Sequence, residues 1–127
     1  MSDADRMAQI NADVDRVRSA ILEAIPVAKA KGFVIEPNRC HGRSVAGEPS
    51  CCPLYAVLVA REIADHRAVY YPFEDEDPLR TAARELCITT YDAYGFVEGF
   101  DHPAPEPNLI RNPWIQLGRE LHALLLT

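Results

Sequence analysis

The stretch CCPLYAVLVAREIA, residues 51–64, places apolar side chains nearly all round a helix, at Leu54, Tyr55, Val57, Leu58, Val59 and Ile63. A surface helix keeps a polar face, and this one has none over two turns, so the stretch is expected to be enclosed by other helices at the centre of the core. Ser50 is the expected N-cap, and Pro53 is tolerated in the first turn, where its missing N–H has no intrahelical acceptor.

Working outward toward the N-terminus, Met7, Ile10, Val14, Val17, Ile21 and Ile25 recur at steps of three and four, with Asp13, Asp15, Arg16 and Arg18 between them. That period predicts one long amphipathic helix. Ser2 or Asp3 is suited to cap its start, and Lys29, Lys31 and Gly32 to end it. Pro26 predicts a kink or a break, because its ring removes a donor and clashes one turn back. Phe33 to Ile35 reads as a short strand, whose expected partner is the aromatic and β-branched run from Ala68 to Phe73. Residues 37–50, PNRCHGRSVAGEPS, show no periodicity and read as a loop.

Toward the C-terminus, Asp77-Pro78 predicts the start of a third helix, with Leu79, Ala82, Ala83 and Leu86 on its apolar face. Thr89 and Thr90 are suited to cap a fourth, with Tyr91, Tyr94, Val97 and Phe100 expected on its buried side. Residues 103–108, PAPEPN, read as a stiff connector, and Asn112-Pro113 opens a last helix with Trp114, Leu117, Leu121 and Leu124 in register. The expected fold is mainly α: a compact bundle of about five helices around a central apolar helix, with at most a short two-stranded β element. The 127 residues, 48% apolar and 25% charged, suit a single helical domain spanning residues 1–127.

Nothing in the chain approaches a membrane span of roughly 20 apolar residues, and the charged N-terminus lacks a signal-peptide pattern, so a cytoplasmic location is expected. The net charge is −6. Such a small acidic protein repels phosphate backbones, which disfavours nucleic acid as a partner. Residues 82–93, AARELCITTYDA, resemble a helix-turn-helix, but the second helix would offer acids and aromatics with no Arg, Lys, Asn or Gln to read bases. No P-loop, dinucleotide fingerprint, nucleophile elbow or H-E-x-x-H occurs.

Four residues with ligand chemistry gather around the 37–50 loop: Cys40, His41, Cys51 and Cys52. Three thiols and an imidazole suit tetrahedral zinc, although adjacent ligands chelate one ion awkwardly and closed sites favour two-residue gaps. Alternatively, Cys51 or Cys52 at a helix N-terminus, near Arg39, His41 and Arg43, would be a reactive thiolate. Buried packing is the simpler expectation for all four cysteines, most of all Cys87. The pattern E-x-x-D-H occurs twice, at Glu62–His66 and Glu98–His102, where metal ligation competes with simple helix termination. The acidic run at 74–77 lacks an EF-hand's alternating ligands and reads as a solvated turn. Gly95 and Gly99 stand one turn apart, suited to close helix packing. Tyr55, Tyr70, Tyr91 and Trp114 are the aromatic residues to consider for a small-molecule pocket, with core packing the simpler account. The function expected from this balance is a non-catalytic helical protein-binding or self-assembly module that needs no cofactor. The alternative is a zinc-binding or thiol-active protein using the Cys/His loop.

Overall fold

Ser2 starts the first helix, α1 (Asp3–Ala30), by accepting a hydrogen bond on Oγ from the Asp5 N–H at 3.1 Å, with Asp3 and Asp5 complementing the helix dipole. In the computed structural model, which describes residues 2–38, 41–63, 78–103 and 112–126 and of His41 only the main chain, α1 runs unbroken through Pro26. The expected break does not occur. Pro26 and Leu22 both lie on the exposed side, so the Leu22 carbonyl that loses its donor faces water rather than the core.

Three strands follow in a small sheet of order β1-β3-β2: β1 (Val34–Ile35), β2 (His41–Arg43) and β3 (Pro49–Cys51). β3 pairs parallel to β1, with Val34 against Ser50 and Ile35 against Cys51, and antiparallel to β2, with His41 against Cys51 and Arg43 against Pro49. The sheet therefore has three strands where at most two were expected, and two of them come from the segment that reads as a loop. Turn chemistry makes the hairpin. The Ser44 N–H donates to the Glu48 carbonyl at 2.7 Å, the Gly47 N–H returns to the Ser44 carbonyl at 2.9 Å, and Gly47 adopts φ +84. The run Ala68 to Phe73, expected to pair with β1, lies outside the described residues, as do residues 74–77 and most of the 103–108 connector.

The central helix is α2 (Pro53–Ala60), and the remaining helices are α3 (Pro78–Glu85), α4 (Thr90–Asp101) and α5 (Pro113–Leu125). Every residue of α2 from Pro53 to Val59 is buried, with Leu54, Ala56, Leu58 and Val59 at 0% exposure. It packs directly against α1 and α3, and its residues join one core with Val17, Ile21 and Ala28 of α1, Ala82 of α3, Leu86 just after it, Phe96 and Phe100 of α4, and Leu117 and Leu121 of α5. The mainly α bundle around one apolar helix is thus the observed architecture.

Helices α1, α2 and α3 end in the same left-handed turn, but with different residues at the strained position: Gly32 (φ +96), Glu62 (φ +60) and Cys87 (φ +57). Behind each, the next N–H reaches back to close the turn, at Phe33 to Ala28, Ile63 to Leu58 and Ile88 to Ala83. The end of α3 is also held from outside. Arg16 of α1 donates Nη1 to the Leu86 carbonyl, and Arg61 donates Nη1 to the Glu85 carbonyl at 3.1 Å. Cys87 is exposed, against the expectation that it is the most securely buried of the cysteines. Its place is set by the need for a left-handed residue, not by apolar burial. Cys87→Gly is expected to stabilise the fold by about 1 kcal/mol, since glycine removes the left-handed penalty at the cost of some chain entropy. A rise in the urea midpoint at unchanged slope would show it, and a fall would contradict it.

Helices α4 and α5 form the closest pair. Thr89 caps α4 in a capping box with Asp92, at 3.0 and 3.3 Å, and Asn112 caps α5 by accepting from the Trp114 and Ile115 N–H groups. The buried face of α4 carries Ala93, Phe96, Gly99 and Phe100, whereas Tyr91 is 79% exposed and Tyr94 49%. Of the expected buried face, Phe100 is buried and Val97 packs half-buried against the core, whereas the two tyrosines turn outward. Glycines decide it: Gly99 and Gly118 let the two backbones touch, and that contact turns the tyrosines outward.

Candidate functional site

The hairpin and α2 bring the cysteine and histidine positions into one neighbourhood. Antiparallel pairing places His41 directly opposite Cys51, at the open end of the hairpin, and β3 passes straight into α2. The chain from His41 therefore folds back against the start of α2. Cys40 and Arg39 lie outside the described residues.

Cys51 is wholly buried and Cys52 is 2% exposed. Burial pushes the Cys51 thiol well above its ordinary range, and the neighbouring Cys52 pushes in the same direction. Desolvation thus outweighs the thiolate stabilisation expected from the nearby helix N-terminus. The Arg43 guanidinium donates Nη1 to the Gly47 carbonyl at 2.9 Å within the hairpin turn.

Cys52, not Ser50, occupies the N-cap position of α2, with extended φ and ψ and no side-chain capping bond. Ser50 is held in the middle strand between Val34 and Gly42. Its Oγ is buried with no hydrogen-bond partner among the described residues, which sequence inspection missed because a serine before a helix reads as a cap. A buried hydroxyl left without a partner costs about 1–3 kcal/mol. Among the described residues, no three Cys, His, Asp or Glu side chains gather as a ligand set.

Of the two E-x-x-D-H patterns, only the second is described in full. Asp65 and His66 lie outside the described residues. In the second copy, Asp101 Oδ1 accepts from the Asn38 N–H at 2.7 Å, tying the turn after β1 to the end of α4, and His102 is the exposed C-cap. Of the candidate aromatics, Tyr55 and Trp114 are buried in the core and Tyr91 stands in solvent, so these three line no common pocket; Tyr70 is not described.

Comparison with protein-family models, with curated proteins and with solved structures finds no match.

A further surface feature lies where α1 meets α5. Arg18 reaches Glu120 through Nε at 2.6 Å and Nη2 at 3.0 Å while holding Asp15 at 2.6 Å. Beside this clamp, Asn11, Val14, Pro113 and Leu117 line a shallow groove. The partners are 102 residues apart in sequence, so no local pattern signals them. No helix among the described residues is long and apolar enough to cross a membrane.

Proposed function

We propose that this chain is a non-catalytic helical module that binds another protein, or a second copy of itself, through the first turns of α1. One observation carries the proposal. The apolar stripe of α1 continues past the point where the core ends: Val14, Val17 and Ile21 are buried, Ile10 is half-buried, and Met7 is 48% exposed on a stretch whose residues 2–9 are all exposed. An overhang of some two turns gains little from propensity alone, because helical stability in proteins comes mainly from packing of the apolar face. Continuing the same stripe beyond the core supports a role outside it. The module works in the cytoplasm, needs no cofactor for this contact, and has a protein surface, not nucleic acid or a bilayer, as its counterpart.

Light scattering over rising concentration tests the self-assembly form, and a pull-down compared with a Met7→Glu variant tests the heteromeric form. Burying a methionine contributes about 2 kcal/mol, so the variant is expected to weaken the contact roughly thirtyfold. A protein that stays monomeric at every concentration, and whose captured partners do not change with Met7→Glu, would overturn the proposal.

A further inference from the structure

The apolar stripe of α1 that outruns the core has one cation and one anion along its flank. Arg6 and Asp13 stand one heptad apart and so lie on the same side of the line through Met7 and Ile10, whereas the opposite flank carries the uncharged Ala4 and Asn11. Residues 2–9 are all exposed, and α5 begins only beside Asn11, where Asn11 and Pro113 line one groove. Arg6 makes no ion pair among the described residues. Asp13, with its side chain 29% exposed, accepts from Gln9 and Arg16 on Oδ1 alone.

A flank of this kind complements itself. When two such helices lie antiparallel, like flanks meet, and with Met7 of one opposite Ile10 of the other, Arg6 falls opposite Asp13 twice, related by a two-fold axis. A parallel pairing sets Arg6 against the uncharged flank, and a partner charged with one sign throughout satisfies only one of the two residues. From this complementarity we propose that the counterpart of α1's first turns is a second copy of this chain, paired antiparallel through residues 3–14. This rests on the protein-binding reading above and narrows its partner to one molecule.

The length of the overhang fits the same occupant. In this register Asp3 of the partner subunit comes opposite Val14, which is 8% exposed at the edge of the core, so each overhang ends where the other's core begins. Val14 and Pro113 line the same groove, and the start of α5 there favours an acid through its dipole. The seam has two apolar layers, each a Met7 against an Ile10, far smaller than a standard interface, so the dimer is weak and forms at high concentration.

The test is sedimentation equilibrium of the full chain, kept reduced so that the exposed Cys87 forms no disulfide, up to millimolar concentration and at low ionic strength. Arg6→Glu puts two pairs of like negative charges in the seam, and Asp13→Lys puts two pairs of like positive charges there. Each variant alone is expected to dimerise about tenfold more weakly than wild type. An equimolar mixture of the two regains both attractive pairs and should associate as tightly as wild type. Both positions lie outside the buried core, and circular dichroism confirms that each variant keeps its helices. The proposal is overturned if the wild-type chain stays monomeric throughout, or if the mixture associates no more tightly than either variant alone. A monomeric chain that still captures a protein in a Met7-dependent way overturns self-pairing while leaving the protein-binding reading intact.

Discussion

Gly99→Ala is expected to destabilise the protein by about 3 kcal/mol or more, at the upper end of the cost of overpacking. A Cβ at Gly99 would overlap the Ile115 carbonyl oxygen and sit 2.8 Å from its carbon and 3.0 Å from its Cα. All three atoms belong to the backbone of α5. A flexible side chain can swing aside, but a helix backbone cannot, so α4 and α5 would have to part along their whole contact. Gly118 presents the same case from the opposite helix, where a Cβ would overlap the Phe96 carbonyl oxygen and lie 2.6 Å from the Phe100 nitrogen. Alanine's better helix propensity returns about 1 kcal/mol, which is too little to compensate. For a domain of this size the melting temperature should fall by roughly 10 °C. Gly95→Ala is the internal control: its nearest neighbour is the Trp114 Cβ at 3.3 Å, and its effect should lie within about 1 kcal/mol of zero. Equal stability of Gly99→Ala and Gly95→Ala would mean that the helices do not approach as closely as described.

Leu58→Ala should cost about 2–5 kcal/mol, comparable to a large share of the net stability of an ordinary domain. Leu58 is at 0% exposure on a helix whose residues Pro53 to Val59 are all buried, and that helix packs against both α1 and α3. No single element can relax into the space left behind. Leu22→Ala provides the contrast, since Leu22 is 38% exposed on the outer side of α1 and its loss should stay within about 1 kcal/mol. Urea unfolding of the two variants at unchanged slope measures the difference, and a similar midpoint for both would remove α2 from its central position.

Much of this fold was legible in the residues because it rests on local rules. The enclosure of residues 54–59 follows from their lack of a polar face. Ser2, Thr89 and Asn112 cap the helices they precede, since each needs only the N–H groups two or three residues on. Gly32 ends α1 because it alone there lacks a Cβ. Errors arose where a distant neighbour decided the outcome. Ser50 has the chemistry of a cap, yet pairing with Val34 and Gly42 draws it into a strand. Tyr91 and Tyr94 have the right spacing for a buried face, yet the approach of Gly99 to Ile115 rotates them out. Cys87 is a residue type usually buried, yet the end of α3 needs a left-handed turn at that position.

The candidate site was legible in kind but not in arrangement. Residue types single out Cys40, His41, Cys51 and Cys52, whereas the alignment of 41 with 51 depends on a hairpin whose strands show no alternating pattern. Its turn, through Ser44 and Gly47, sets the register, and register is what brings separated side-chain positions together.

By itself the sequence determined the number of helices, where α1, α4 and α5 start, and which segment must lie innermost, because period, caps and glycines act within a few residues. Only the tertiary structure decided which face α4 turns to α5, what β1 pairs with, and how far α1 outruns the core. Those outcomes are set by backbone contacts and burial between segments that lie far apart along the chain, and no local pattern encodes them.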